Sequence, residues 1–158
     1  MRALLILVGL CVSLAAHTCM GEERPDDVRN AYELQAKAKA ITAWEKTCLP
    51  IMEAASNEDR FNLYYLYTHT HDVWRQIDFL RTLLDLANSA SAGDDDRKTR
   101  RLLQDHAKFA GFELEQAIVI AEKSRDAFKR SEHLKLQRDA YVLLRDIRGV
   151  VNRLEASK

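Results

Sequence analysis

Apolar residues return at alternating intervals of three and four along most of this chain, and this spacing constrains the fold more than any other feature. Between residues 63 and 87 the stripe consists of Leu63, Leu66, Thr70, Val73, Ile77, Leu80, Leu84 and Ala87. Residues three and four apart lie on one face of an α-helix, whereas a half-buried strand alternates with a period of two. This stretch is therefore predicted to be a helix with one buried face.

Three other stretches carry the same spacing. The first contains Ala31, Leu34, Ala38, Ile41, Glu45 and Cys48 with Trp44 beside it, the next contains Leu103, Ala107, Ala110, Leu114, Ala117, Ala121, Ser124 and Phe128, and the last contains Leu136, Ala140, Leu143, Ile147, Val150 and Leu154. The stripes predict a core that includes Leu34, Ile41, Leu66, Val73, Ile77, Leu80, Leu84, Leu103, Leu114, Phe128, Leu143, Ile147 and Val150.

A few residues mark where the helices begin and end. Pro25, followed by two aspartates, is typical of a first helical turn, and Pro50 is expected to bend or end that helix. Ser56 with Asp59 three residues later resembles a capping box. Residues 88–93, small and polar, predict a turn, and three aspartates then favour another helix N-terminus.

The heptad pattern of the third stripe breaks at Glu132, and Ser131 just before it is a candidate N-cap. Either a fourth helix begins there, or the last two stripes form one long kinked helix. Amphipathic helices joined by short links favour an all-α, up-down-up-down antiparallel four-helix bundle.

The N-terminal residues do not share this pattern. A basic start, Met1–Arg2, precedes an apolar run of 14 residues from Ala3 to Ala16, which suits a secretory signal and is shorter than the about 20 residues of a membrane span. We predict a cleaved signal peptide at 1–21 and a single soluble domain at 22–158, periplasmic or secreted, with a retained anchor as the alternative. Thr18 before Cys19 is a poor lipoprotein signal.

Charge and motif content exclude several classes of function. Residues 22–158 carry 23 basic and 24 acidic side chains, a net charge of −1 without a basic stripe, so nucleic acid is not expected as a partner. The sequence contains no Cys-x-x-Cys-His, Glu-x-x-His, His-Glu-x-x-His, phosphate-binding glycine loop or Gly-x-Ser-x-Gly. No cofactor and no enzymatic activity are predicted. The segment 97–101, after three aspartates, is interpreted as locally ion-paired rather than as an anion-docking patch.

The histidines are not expected to form a metal site. His69 and His71 are two residues apart, so they point to different sides of their helix. If the connection between the second and third helices centres near residue 92 or 93, positions in these two helices whose numbers sum to about 185 face each other. His106 then lies opposite residue 79, too far along the helix to join His71 at a metal ion.

Cys48 lies on an apolar stripe, where cysteine behaves as a small buried side chain. It is a lone thiol if the signal is cleaved after Gly21. If cleavage follows Ala15 or Ala16, it could instead pair with Cys19 in an oxidising compartment.

The most distinctive pattern is a second stripe beside the core stripe of the second helix. Tyr64, Tyr67, His71 and Trp74, with Asp78 next in the series, repeat at the same spacing of three and four. Such aromatic side chains off the core stripe favour a binding surface, and His71 would make the contact pH-dependent between about pH 5 and 8. The alternative is that the rings simply cover the core.

These observations predict an extracytoplasmic protein that binds another protein, of the kind exemplified by inhibitors and immunity proteins. Two alternatives remain open: a carrier with a small ligand inside the bundle, and an enzyme without a recognisable motif. A protein-binding module predicts an exposed patch, a carrier predicts a concave apolar cavity, and an enzyme predicts converging titratable groups. The oligomeric state is not specified by the sequence.

Overall fold

A computed structural model describes residues 25–89 and 94–156, and it contains four α-helices in this part of the chain. They are α1 (Pro25–Ala54), α2 (Asn57–Ser89), α3 (Asp94–Lys123) and α4 (Ser131–Ala156), with a 3-10 turn, Ser124–Ala127, between the last two. The described residues include no strand, so the predicted all-α class is confirmed. The predicted signal segment, residues 1–21, lies outside the described residues.

Neighbouring helices pack side by side in chain order, and α4 returns to α1. Two contacts between α1 and α4 show their relative direction. Lys37 Nζ lies 3.1 Å from Asp146 Oδ2, and Trp44 Nε1 donates to the Leu136 carbonyl oxygen at 2.9 Å. Residue numbers rise along α1 as they fall along α4, so the two helices are antiparallel. The elements therefore form a helix bundle.

The boundary between α1 and α2 follows the capping pattern in the sequence. The Asp59 backbone N–H donates to Ser56 Oγ at 3.3 Å, and the Ser56 hydroxyl donates to Asp59 Oδ2 at 3.2 Å. Pro50, in contrast, does not end α1, which continues for another turn to Ala54. Lys46 and Pro50 are both exposed, so the Lys46 carbonyl that loses its helical donor faces water.

The break between α3 and α4 is real, and the alternative of one long kinked helix is wrong. After the 3-10 turn, Phe128 is extended, with φ −97° and ψ 130°, and its ring is buried against the core. The Leu134 backbone N–H then donates to the Arg130 carbonyl oxygen at 3.1 Å. Ser131 is thus the first helical residue rather than the cap, a shift of one position.

The core matches the predicted stripes with one exception. Every residue predicted to lie in the core is buried except Leu143, which is only partly buried. Its neighbour Leu144 is 0% exposed instead. The buried positions of α4 run Leu136, Ala140, Leu144, and this repeated step of four replaces the step of three that the heptad pattern assumed. The predicted register of α4 was therefore wrong by one residue at this point.

None of the helices in the described residues is long and apolar enough to cross a membrane.

Candidate functional site

The aromatic residues that the sequence singled out form most of a continuous row of stacked rings between α1 and α2. Trp44 of α1 lies 6.4 Å from Tyr67, Tyr67 lies 6.1 Å from His71, and His71 lies 5.7 Å from Trp74, measured between ring centroids. The interplanar angles are 23°, 4° and 14°, so the four rings are nearly parallel. We call these four residues the ring row.

The sequence spacing explains how α2 contributes three of these rings. Positions 67, 71 and 74 are separated by four and three residues, which places their side chains on one face of the helix. Tyr67 and Trp74 pack against the core and are partly buried. Trp44 is 7% exposed and is held by the hydrogen bond from Nε1 to α4. The ring row is therefore anchored in the core at Trp44 and reaches the surface at His71.

Glu45 gives the ring row a close polar contact at its exposed part, His71. Its Oε1 lies 2.9 Å from His71 Nδ1, and its side chain is 13% exposed. A carboxylate only accepts, so Nδ1 carries the proton of this hydrogen bond. When the imidazole is neutral, Nε2 is an acceptor, and protonation turns it into a donor. The contact also explains why a glutamate occupies the apolar stripe of α1.

Burial shapes the chemistry of two groups next to Glu45. Burial, with the charge of Glu45 as a second cause, raises the pKa of Cys48 to about 12. Burial and the same charge also raise the pKa of Tyr67. Cys48 is therefore a protonated, buried thiol at neutral pH, and it is unpaired in the described structure. This agrees with a packing role. The alternative, a disulfide with Cys19, involves a residue outside the described part of the chain.

Tyr64 is the one predicted site residue that the structure does not bring into the ring row. It is 55% exposed and lies one turn nearer the α1–α2 connection. There it lines an open groove of about 530 Å³ together with Met52, Glu53, Asn57, Arg60 and Phe61. The fifth residue of the stripe, Asp78, pairs with Arg81 at 3.1 Å rather than with a member of the ring row.

The remaining histidines of α2 and α3 contact aromatic rings. His69 lies edge-on to Tyr65 at 4.7 Å, and His106 lies edge-on to Phe79 at 4.5 Å. The second contact confirms the predicted register, in which His106 faces residue 79. Burial lowers the pKa of His106. Within residues 25–89 and 94–156, no three histidine, cysteine or acidic side chains are grouped so that they could hold a metal ion.

The basic segment 97–101 contributes a tertiary ion pair as well as a local one. Arg100 Nη1 donates to Asp27 Oδ2 at 2.7 Å, and Arg100 Nε lies 2.8 Å from Asp96 Oδ1. Burial acts to lower the pKa of Arg100, but the two carboxylates outweigh it and raise the pKa. The interpretation as an ion-paired helix start holds for Arg100, and its link to α1 was not predicted.

Sequence reasoning missed two buried polar residues of α4. His133 is 0% exposed, and its ring nitrogens lie 3.6 Å from Asp59 and 3.8 Å from Glu132, beyond hydrogen-bond distance. Gln137 is 6% exposed and donates to the Ala121 carbonyl oxygen at 2.6 Å. Neither lies on the predicted stripe. The break before Ser131 was the only signal that could have pointed to them, because it brings the end of α3 against the start of α4.

A groove of about 760 Å³ lies between α1 and α4. Its lining mixes apolar side chains, Ala40, Ala43, Trp44 and Leu143 among them, with charged ones that include the ion pair of Lys37 with Asp146. Leu143 is partly buried against the core and also lines this groove. The groove is open to solvent along the outside of the bundle.

The chain matches no model of a known protein family, no curated protein and no solved structure. A function therefore has to be inferred from the side chains themselves.

Proposed function

We propose that this chain is an exported helical-bundle protein that binds another protein through the surface formed by Tyr64, His71 and the exposed edges of Tyr67 and Trp74. The observation that carries the proposal is the ring row itself. Aromatic side chains held rigid by stacking offer a large contact area while losing little conformational freedom on binding. Inhibitors and immunity proteins, which cover a surface of an enzyme, are the class that such a patch suits.

The polar chemistry of the patch supports a protein partner. The Glu45 carboxylate fixes the His71 ring through Nδ1 at 2.9 Å, and this leaves Nε2 as the ring atom available to a partner. In the neutral ring that donates from Nδ1, Nε2 is a hydrogen-bond acceptor, so it suits a partner that donates to it. Aromatic side chains are enriched in protein interfaces relative to the rest of the surface.

Export is proposed from residues 1–21 alone. We expect the protein recovered from the extracytoplasmic fraction to begin between residues 16 and 22, as read by N-terminal sequencing. A product that starts at Met1 and sediments with membranes would contradict this.

Affinity capture with two matched tyrosine variants tests the binding surface. Tyr64→Ala should weaken capture of the partner from an envelope extract by about tenfold or more, because Tyr64 is an exposed ring at the proposed contact. Tyr32→Ala is the control, since Tyr32 is a 69% exposed tyrosine near the opposite end of α1. Both variants should melt within a few degrees of the wild type. Equal losses of capture, or no loss in either variant, would sink the proposal.

Trp74→Ala gives a less clean readout because Trp74 is partly buried against the core. We expect it to lower both the melting temperature and the capture. Trp74→Ala therefore does not distinguish a binding surface from a cover for the core, whereas Tyr64→Ala does.

A small-ligand carrier is the second candidate, and the groove between α1 and α4 favours it. Its volume lies within the range of small-molecule sites. Such sites usually enclose most of the ligand, whereas this groove is open, so we rank it below protein binding. The chain has two tryptophans, and in a Trp74→Phe variant the fluorescence of Trp44 would report a ligand there. The absence of enzymatic activity stays a prediction.

A further inference from the structure

Helix α3 carries a second apolar face on the side away from the core. Leu103, Ala107, Ala110, Leu114 and Ala117 are buried against the other helices. On the opposite side of α3, Leu102 is 52% exposed, Phe109 51%, Phe112 61% and Val119 39%. A surface helix of a bundle normally has one apolar stripe and a polar opposite face. The outer apolar stripe of α3 is therefore a surface on which a partner could pack. We call it the outer face.

The outer face is large enough for a stable contact. Phe79 of α2, 45% exposed, extends it through His106, whose ring lies 4.5 Å from Phe79 and 5.9 Å from Phe109. At about half of 150–250 Å² for each large side chain, these five apolar residues expose about 450 Å². A standard interface buries about 800 Å² per partner, of which roughly 60% is apolar. The outer face supplies close to that apolar area.

The spacing within the outer face is symmetric. Leu102 and Phe109 are seven residues apart, Phe109 and Phe112 three, and Phe112 and Val119 seven. Reading α3 in the opposite direction gives the same series, centred between Phe109 and Phe112. In a two-fold contact between identical chains residue i of one copy meets residue j of the other and the reverse, so this series sets apolar residues opposite apolar residues.

We propose that two copies of this chain associate through their outer faces, with the two α3 helices antiparallel about a two-fold axis between Phe109 and Phe112. Phe109 then meets Phe112 of the second copy, and Leu102 meets Val119 of the second copy. The same symmetry sets Asp105 of one copy opposite Gln116 of the other, the two polar residues between the apolar ones. The Gln116 amide of one copy lies where it donates to the Asp105 carboxylate of the other.

Charge along one edge of the outer face supports the same pairing. Arg101, Lys108, Glu115 and Glu122 follow one another at intervals of seven, two bases and then two acids, and all four are exposed. In an antiparallel two-fold pair this edge of one copy lies beside the same edge of the second copy, which runs in the opposite direction. Arg101 then lies near Glu122 of the second copy, and Lys108 near Glu115. A parallel pair would instead set this edge against the other edge of the second copy, so these four residues would not face one another.

These side chains already have contacts within the chain that a second copy would extend. Lys108 Nζ lies 3.5 Å from Asp105 Oδ1, and Glu115 Oε1 lies 2.8 Å from Arg148 Nε. The outer face lies on the α3 side of α2, whereas Tyr64 and His71 lie on the α1 side. Self-association is thus independent of the proposed binding surface, and either can fail without the other.

Sedimentation equilibrium of the purified protein over a concentration series tests the association. We expect a monomer–dimer equilibrium for the wild type and at least about tenfold weaker association for Phe112→Glu, which places a charge at the centre of the contact. Phe61→Glu is the matched control, because Phe61 is a 70% exposed phenylalanine of α2 outside the outer face. It should dimerise like the wild type.

A wild type that stays monomeric up to about 1 mM would overturn the proposal, and so would a dimer that Phe112→Glu leaves unchanged. After the first result a different protein would be the occupant to look for at the outer face. Circular dichroism must show that both glutamate variants keep the helical content of the wild type. If Phe112→Glu unfolds, Leu102→Gln and Val119→Gln take its place and are judged by the same two outcomes.

Charge reversal tests the antiparallel two-fold arrangement itself. Arg101→Glu should weaken the dimer because it faces Glu122 of the second copy, and Glu122→Arg should weaken it for the converse reason. An equimolar mixture of the two variants should recover wild-type association, since every contact in the mixed dimer joins opposite charges. Weakening should be a few-fold for each single variant, as for exposed ion pairs. A mixture that associates no better than either variant alone would overturn the arrangement.

Discussion

Replacing Trp44 by alanine is expected to lower the free energy of unfolding by about 3–5 kcal/mol, the cost of removing a buried tryptophan side chain. Trp44 is 7% exposed, stacks on Tyr67 and donates from Nε1 to the Leu136 carbonyl oxygen of α4 at 2.9 Å. It thus joins α1 to α2 and α4 at once. Urea denaturation followed by circular dichroism measures the change.

Two further variants separate the contributions at this position. Trp44→Phe keeps a ring for stacking but loses the hydrogen bond and part of the volume, so about 1–2 kcal/mol is expected. Trp74→Ala removes the same side chain from a partly buried site of α2 and should cost less than Trp44→Ala. If the two alanine variants cost the same, or if Trp44→Ala costs under about 1 kcal/mol, Trp44 does not anchor the ring row in the core.

The helices and most of the core were predictable because they depend on local spacing. The stripe from Leu63 to Ala87 is buried at each of its positions, Thr70 included. Thr70 is accommodated because its hydroxyl donates to the Leu66 carbonyl oxygen at 2.8 Å. A pattern of period three and four specifies which side of a helix is apolar, and a bundle buries that side. Contact between His106 and Phe79 follows from the turn position alone.

Contacts between helices distant in sequence were not predictable in the same way. Glu45 was recognised on the α1 stripe, but its partner His71 lies on α2, and nothing within either stripe relates the two. Arg100 and Asp27 are 73 residues apart and meet because α3 passes the start of α1. Periodicity gives the angle of a side chain around its own helix and not the height of one helix against another, so these pairs require the assembled bundle.

The candidate site was predicted in part for the same reason. The spacing of Tyr67, His71 and Trp74 correctly placed the three rings on one face of α2. It also placed Tyr64 there, whereas Tyr64 lines the groove at the α1–α2 connection. Trp44 was read as a flank of its own stripe, and its part in the ring row depends on how α1 and α2 are aligned. Whether the surface binds a partner stays a prediction.

The error at Leu143 has a cause that a matched pair of variants can test. An α-helix has 3.6 residues per turn, so a strict heptad stripe drifts around a straight helix by about 20° per heptad. In α4 the drift is taken up by the steps of four from Leu136 through Ala140 to Leu144. Leu144 consequently faces the core at 0% exposure, and Leu143 lines the open groove beside α1.

Leu144→Ala should therefore lower the free energy of unfolding by about 2–5 kcal/mol, whereas Leu143→Ala should cost about 1 kcal/mol or less. The two variants remove the same atoms from adjacent positions of one helix, so helix propensity and unfolded-state effects are nearly equal and burial remains as the difference. Thermal and urea denaturation of both, at a protein concentration that holds the oligomeric state constant, give the comparison. Equal losses would mean that both side chains are buried and that the groove between α1 and α4 is filled. A larger loss for Leu143→Ala would mean that Leu143 faces the core, as the heptad register predicts. Helix α4 would then be rotated relative to the structure described, and the hydrogen bond from Trp44 to the Leu136 carbonyl oxygen would not be expected.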